Sequence, residues 1–136
     1  VNTVCITSAI REEIVAHARS EPRRECCGLL AGRDGVITRA FPARNAANTP
    51  ATRYEIAPAE IFERMREMRE LKLDLLGIYH SHPNSKNEPS PRDIELAFYP
   101  ETPYLIVSPL ARRPIRAFLI ADSNVREIEI DVVAAG

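Results

Sequence analysis

Leu75 to Tyr79 form an uninterrupted apolar run, LLGIY, set between Asp74 and the tripeptide His80-Ser81-His82. A run this short and this apolar reads as a buried strand from Asp74 to His80. On extended backbone, residues two apart face the same side. The strand therefore delivers two imidazoles to one place, and the polar segment that follows begins where the buried strand runs out.

The flanking sequence supplies partners for that strand. Residues 2 to 6 read as a strand. Ser8 opens a helical segment with Ile10, Ile14 and Ala18 spaced four apart, and Pro22 stops it. Residues 27 to 43 read as a hairpin around Arg33-Asp34-Gly35, since Asp-Gly is a strong turn signal. Residues 42 to 50 are loop-like, and Arg53 to Ala57 are expected to form a short strand. Pro58 suits the first turn of a helix running to about Lys72. Ile61, Met65, Met68 and Leu71 form its apolar side, and Glu60/Arg64 and Arg66/Glu70 support its exposed side. Ser90 opens another helix ending near Tyr99-Pro100. Residues 104 to 108 read as a strand, and 115 to 120 pair with 125 to 133 around Asp122-Ser123-Asn124. Strands and helices mixed in this way suggest an α/β or α+β fold, a mixed sheet flanked by helices. The 136 residues fit one domain, 1–136.

Composition removes several classes of function. Eighteen basic and nineteen acidic residues give a net charge of -1, with no basic stripe for nucleic acid and no polybasic segment for a membrane surface. No apolar run approaches the roughly 18 residues of a membrane helix, and the first six residues lack the charged region and cleavage site of a signal peptide. The cysteines, Cys5, Cys26 and Cys27, are odd in number and two are adjacent, which argues against a disulfide framework and for the cytoplasm. Cys26 and Cys27 lie in the apolar stretch CCGLLAG and read as small buried residues. Oligomeric state is not legible.

The chemistry concentrates in Gly77 to Phe98. Zinc takes imidazole nitrogen and carboxylate oxygen readily, so His80, His82 and the downstream Asp93 make a candidate ligand set. Three protein ligands leave the fourth tetrahedral position to water, as in catalytic rather than structural sites. Such a site needs a proton shuttle. Glu25, just ahead of the hairpin in RRECCGLL, is the candidate, because a partly buried carboxyl near the metal would have a pKa suited to it.

Each residue also has a plainer reading. A lone His-x-His is usually structural, and Ser-Pro-x-Asp is a helix start with Ser90 as cap. The two readings of Ser90 and Asp93 are compatible, because a capped helix aims Asp93 rigidly. His17 reads as exposed on the polar side of the first helix, Glu88 as a loop residue, and Tyr79 as a packing residue. No H-E-x-x-H helix, deaminase Cys pair, Gly-rich phosphate loop or nucleophile elbow occurs.

Taken together, His80-Ser81-His82, then seven residues, Ser90, two residues and Asp93, with Glu25 upstream in an E-x-x-G-L-L context, resemble the JAMM (MPN+) metallopeptidase motif at every spacing. The resemblance covers nearly the whole chain and looks like a small prokaryotic member. It implies an α/β fold of the JAMM/MPN, cytidine-deaminase-like type, and one zinc ion on His80, His82 and Asp93. Glu25 would be the general acid/base, and Ser90 a hydrogen-bond donor to the tetrahedral oxyanion. The implied activity is hydrolysis of a peptide or isopeptide bond at the C-terminal tail of a ubiquitin-like or sulfur-carrier protein. The segment Asn45 to Tyr54 is expected to contribute to the tail groove. Two alternatives stand: a non-catalytic MPN-type interaction module, and a zinc amidase for a small peptide.

Overall fold

The computed structural model describes residues 2–134. In chain order the elements are β1 (Thr3–Thr7), α1 (Ser8–Ser20), β2 (Cys27–Arg33), β3 (Val36–Ala43), α2 (Pro58–Glu70), β4 (Asp74–Ser81), α3 (Pro91–Glu95), β5 (Tyr104–Val107), β6 (Ile115–Ala121) and β7 (Asn124–Val133). Two tight hairpins frame the sheet. Asp34 and Gly35 have φ of 53° and 76°, and Asp122 and Ser123 have 51° and 67°. Paired positive φ angles give a two-residue turn the twist of its strands.

The strands run in the order β1-β3-β2-β4-β5-β6-β7, and the sheet closes because β1 lies parallel to both β3 and β7. β4 runs parallel to β5 and antiparallel to β2. The expected mixed α/β sheet is present, whereas its closure was not legible. Strand alternation divides the core in two. Leu30, Tyr79, Leu105 and Val107 face Ile10, Ile14, Val15 and Ala18 of α1. Leu29, Ile78, Ile106 and Phe118 form the other cluster, with Met68 of α2.

One close approach fixes the register at the centre. Gly28 on β2 sits opposite Tyr79 on β4, and a Cβ on Gly28 would lie 2.4 Å from Tyr79 Cε1 and 2.7 Å from the Phe41 carbonyl oxygen. Only a residue without a side chain lets the Tyr79 ring cross β2. Its hydroxyl then meets His17 Nδ1 at 2.8 Å, while His17 Nε2 meets Glu21 at 3.1 Å.

Several expectations are corrected. His17 is half-buried and tied to the sheet rather than exposed, because Tyr79 reaches across to it. Residues 53–57 form no strand; the Asn45 side chain and the Ala46 amide take up the Glu55 backbone instead. α2 ends at Glu70, so Leu71 falls in the exit turn and is exposed, while Lys72 takes a positive φ of 58°. α3 is one short turn rather than a helix to Tyr99, because the Tyr104 hydroxyl captures the Tyr99 amide. Glu60 accepts from the Arg44 amide rather than pairing with Arg64, which pairs with Glu67; the Arg66–Glu70 pair is present. Among the described residues no helix is long and apolar enough to cross a membrane.

Replacing Gly28 with Ala forces the Tyr79 ring or β3 to move. Overpacking of this kind costs about 1–3 kcal/mol, so the urea midpoint of Gly28→Ala falls below wild type. An unchanged midpoint would show that the approach is not tight.

Candidate metal centre

β4 carries His80 on the same face as Ile78, and the chain continues extended through Ser81 to His82. Two backbone devices hold this end in place. Beyond the β2–β4 ladder, the Ser81 amide donates to the Cys26 carbonyl at 3.0 Å, and the Cys26 amide donates to Ser81 Oγ at 2.8 Å. This reciprocal pair fixes Glu25, one residue earlier, beside the histidines. The His82 amide donates to the Val107 carbonyl at 2.8 Å, which ties the strand end to β5.

The polar excursion after His82 is firmly held. Ser108 Oγ donates to the Ser85 carbonyl at 2.9 Å, and Asn87 Nδ2 donates to the Arg113 carbonyl at 2.6 Å. The excursion ends at a capping box. The Asp93 amide donates to Ser90 Oγ at 3.0 Å, and the Ser90 amide donates to Asp93 Oδ2 at 2.9 Å. Capping thus fixes the rotamer of Asp93, as the helix-start reading requires.

The result is a convergence of electron-pair donors. His80 Nε2 lies 3.1 Å from His82 Nε2, and Asp93 Oδ2 lies 3.2 Å from the first and 3.1 Å from the second. Glu25 joins them, with the ligand atoms of all four residues within 4.8 Å of one another. His82 Nδ1 lies 2.7 Å from the Lys86 carbonyl. A carbonyl only accepts, so that nitrogen carries the proton and a neutral ring turns its Nε2 lone pair inward.

A metal ion fits this arrangement. Zinc bonds of about 2.0–2.1 Å give a tetrahedron with an edge of about 3.3 Å, close to the observed spacing. Without a cation, these three atoms must repel or share protons with one another in a buried site. A Glu25 carboxylate oxygen and His80 Nδ1 are also buried without a hydrogen-bond partner among the described residues. Unpaired buried polar atoms are costly unless a site uses them.

The electrostatics agree. Burial, reinforced by Asp93 and opposed by His82, raises Glu25 to about 7. Burial lowers the His80 pKa and keeps that ring neutral, against the pull of Asp93. For His82, burial is outweighed by the hydrogen bonds to Asp93 and to the Lys86 carbonyl, and its pKa rises. For Asp93, burial is outweighed by the hydrogen bonds from both histidines, which hold its carboxyl far below the usual range. Cys27 stands opposite His80 in the ladder, but burial pushes its thiol up to about 12, and no cysteine joins the cluster.

The structure brings Glu25, His80, His82 and Asp93 together. Ser90 is not among the four; it stands at the helix cap beside Asp93. Glu88 faces Arg116 at 3.5 Å as a loop residue. Sequence reasoning gave Ser81 no role of its own and named Asn45 only as a loop residue at the start of the expected groove segment. Buried Asn45 donates to the Glu25 and Arg53 carbonyls, both at 2.9 Å, and accepts from the Ala47 and Glu55 amides. The Asn-rich loop composition was the available signal. Tyr54, at the end of the same segment, stacks on His80 with ring centroids 4.2 Å apart.

Comparison with known proteins gives a consistent result. The family model for prokaryotic homologs of the JAB domain matches residues 7–121. A desampylase from Haloferax volcanii is 39% identical over 108 residues, covering 75% of this chain and 78% of its own. A CysO-cysteine peptidase from Mycobacterium tuberculosis is 34% identical over 137 residues, covering 98% of this chain and 93% of its own. The solution structure of a protein from Desulfitobacterium hafniense superposes with a TM-score of 0.84 at 36% identity, covering 97% of this chain and 92% of that one.

Glu25 makes stability pH-dependent in the metal-free protein. Its folded pKa of about 7 exceeds its ordinary 4.5, so the fold prefers the protonated form and loses stability as pH rises through that window. Glu25→Gln removes this loss. Its stability relative to wild type therefore grows between those two pH values and then levels off, as read by denaturation at several pH values. A difference that is flat with pH contradicts the assignment.

Proposed function

The chain belongs to the family of prokaryotic homologs of the JAB domain, and from that premise we propose that it is a zinc metallopeptidase. Its substrate would be a peptide or isopeptide bond at the C-terminal tail of a ubiquitin-like or sulfur-carrier protein. The observation that carries this reading is the meeting of His80 Nε2, His82 Nε2 and Asp93 Oδ2 beside a carboxyl raised to about 7. The desampylase and CysO-cysteine peptidase relatives support the substrate class. The continuous seven-stranded sheet supports reading 1–136 as one catalytic domain, and three free thiols, two of them buried, support a cytoplasmic setting.

In this reading His80, His82 and Asp93 hold the zinc ion. When bound, the ion supplies Lewis-acid polarisation of the scissile carbonyl and lowers the pKa of water toward neutrality. Glu25 takes the proton of the attacking water and later hands it to the leaving amine. A pKa near the working pH lets one carboxyl perform both transfers. Ser90 Oγ is fixed by the Asp93 amide it accepts from. Its hydroxyl hydrogen stays available for the oxyanion that develops on the substrate. The preserved donor set argues against a purely scaffolding module.

Incubation with a ubiquitin-like protein extended past its C-terminal Gly-Gly, read by mass spectrometry, tests the proposal. Wild type releases the extension and a chelator stops it. Glu25→Gln keeps one equivalent of zinc but is slower by about 100- to 10,000-fold, the usual worth of acid–base catalysis. Wild-type rates from Glu25→Gln, or purified protein without zinc, refute the mechanism. Cleavage of small amides alone would instead favour an amidase.

A further inference from the structure

The two histidines are oriented by different means. His82 has its Nδ1 anchored on the Lys86 carbonyl, the outer contact that nearly every metal-ligating imidazole makes. His80 lacks this contact. Its ring is 1% exposed, and its Nδ1 has no hydrogen-bond partner among the described residues. A strand residue free to rotate about its side-chain torsions would swing Nε2 away from the other donors, so something else must fix the ring.

Tyr54 meets that requirement. Its ring lies 4.2 Å from the His80 ring, centroid to centroid, with the planes inclined by only 20°. The His82 ring meets His80 edge-on at 4.9 Å and 62°. One contact sets the plane of the His80 ring and the other closes its edge. Burial holds the Tyr54 phenol well above its usual pKa, so its ring stays uncharged beside a site built for a cation.

Tyr54 does not reach this place through a strand. The Asn45 amide group donates to the Arg53 carbonyl and accepts from the Glu55 amide, so it brackets Tyr54 on both sides. The same amide group donates to the Glu25 carbonyl, and the Glu25 amide donates to the Pro50 carbonyl at 2.7 Å. The loop between β3 and α2 is therefore tied to Glu25 at one end and carries the stacking ring at the other.

We infer that Tyr54 is a positioning residue of the metal centre: its ring, bracketed by Asn45, holds the His80 imidazole in the plane that aims Nε2 at the ion. This rests on the reading of the cluster as a zinc site. The claim concerns the flat ring and not the hydroxyl, and Tyr54 also lines an apolar cavity of about 230 Å³. Tyr54→Leu therefore removes the ring without stranding a polar atom, and Tyr54→Phe keeps it.

Zinc affinity, measured by competition with a chromophoric chelator, separates the variants. Tyr54→Phe stays within about twofold of wild type, and Tyr54→Leu is weaker by about tenfold or more, the usual cost of losing an outer-shell partner. A second readout needs no metal. The His80 ring resonances are sharp and single in metal-free wild type and Tyr54→Phe, and broadened or doubled in Tyr54→Leu. Wild-type affinity or sharp His80 signals in Tyr54→Leu overturn the inference. So does a loss of zinc in Tyr54→Phe equal to that in Tyr54→Leu. If wild type itself takes no zinc, the metal reading fails, and the ring resonances alone decide the role of Tyr54.

Discussion

The structure turns on three electron-pair donors held within 3.2 Å of one another in a nearly dry place. Nothing in ordinary packing favours such a cluster. Two imidazole nitrogens and a carboxylate oxygen repel or must share protons, and each has given up water to be there. A divalent cation at their centre would turn the repulsion into coordination. The surrounding contacts fit that purpose: a carbonyl fixes the His82 tautomer, a capping box fixes the Asp93 rotamer, and an aromatic ring lies flat on His80.

The fold supplies the rigidity. β4 is paired on both sides, antiparallel to β2 and parallel to β5, so its end cannot drift. Ser81 extends that hold beyond the ladder by exchanging hydrogen bonds with Cys26, which sets Glu25 beside the histidines. Gly28 lets Tyr79 cross β2 to His17, locking α1 onto the opposite face from His80. Ordered secondary structure thus carries His80 and Asp93, with His82 one residue past the end of β4, while Glu25 sits on a short connection clamped by Asn45.

Much of this was legible in the sequence because it is local. The period-2 step from His80 to His82 places both rings on one face whatever else the chain does. Ser90-Pro91 announces a helix start that must present Asp93 from its first turn. Glu25 was reached from its place just ahead of a strand and from the resemblance to a family motif, since no spacing rule ties a residue before β2 to one at the end of β4. What stayed hidden is non-local. The parallel pairing of β1 with β3 and β7 leaves no mark on any single segment. His17 looks exposed until Tyr79 is seen crossing a glycine. Arg53 to Ala57 looks like a strand until the Asn45 side chain claims its backbone. The helix after Ser90 stops early because a tyrosine hydroxyl from β5 takes the amide that another turn would need.

The central claim is that one zinc ion sits among His80, His82 and Asp93, with an oxygen of solvent or substrate completing its shell. Zinc K-edge absorption fine structure of the purified protein reads that shell directly. The account predicts only nitrogen and oxygen at about 2.0–2.1 Å, with two imidazoles resolved by their outer-ring scattering. A sulfur shell near 2.3 Å, a single imidazole, or protein that retains no zinc would contradict it.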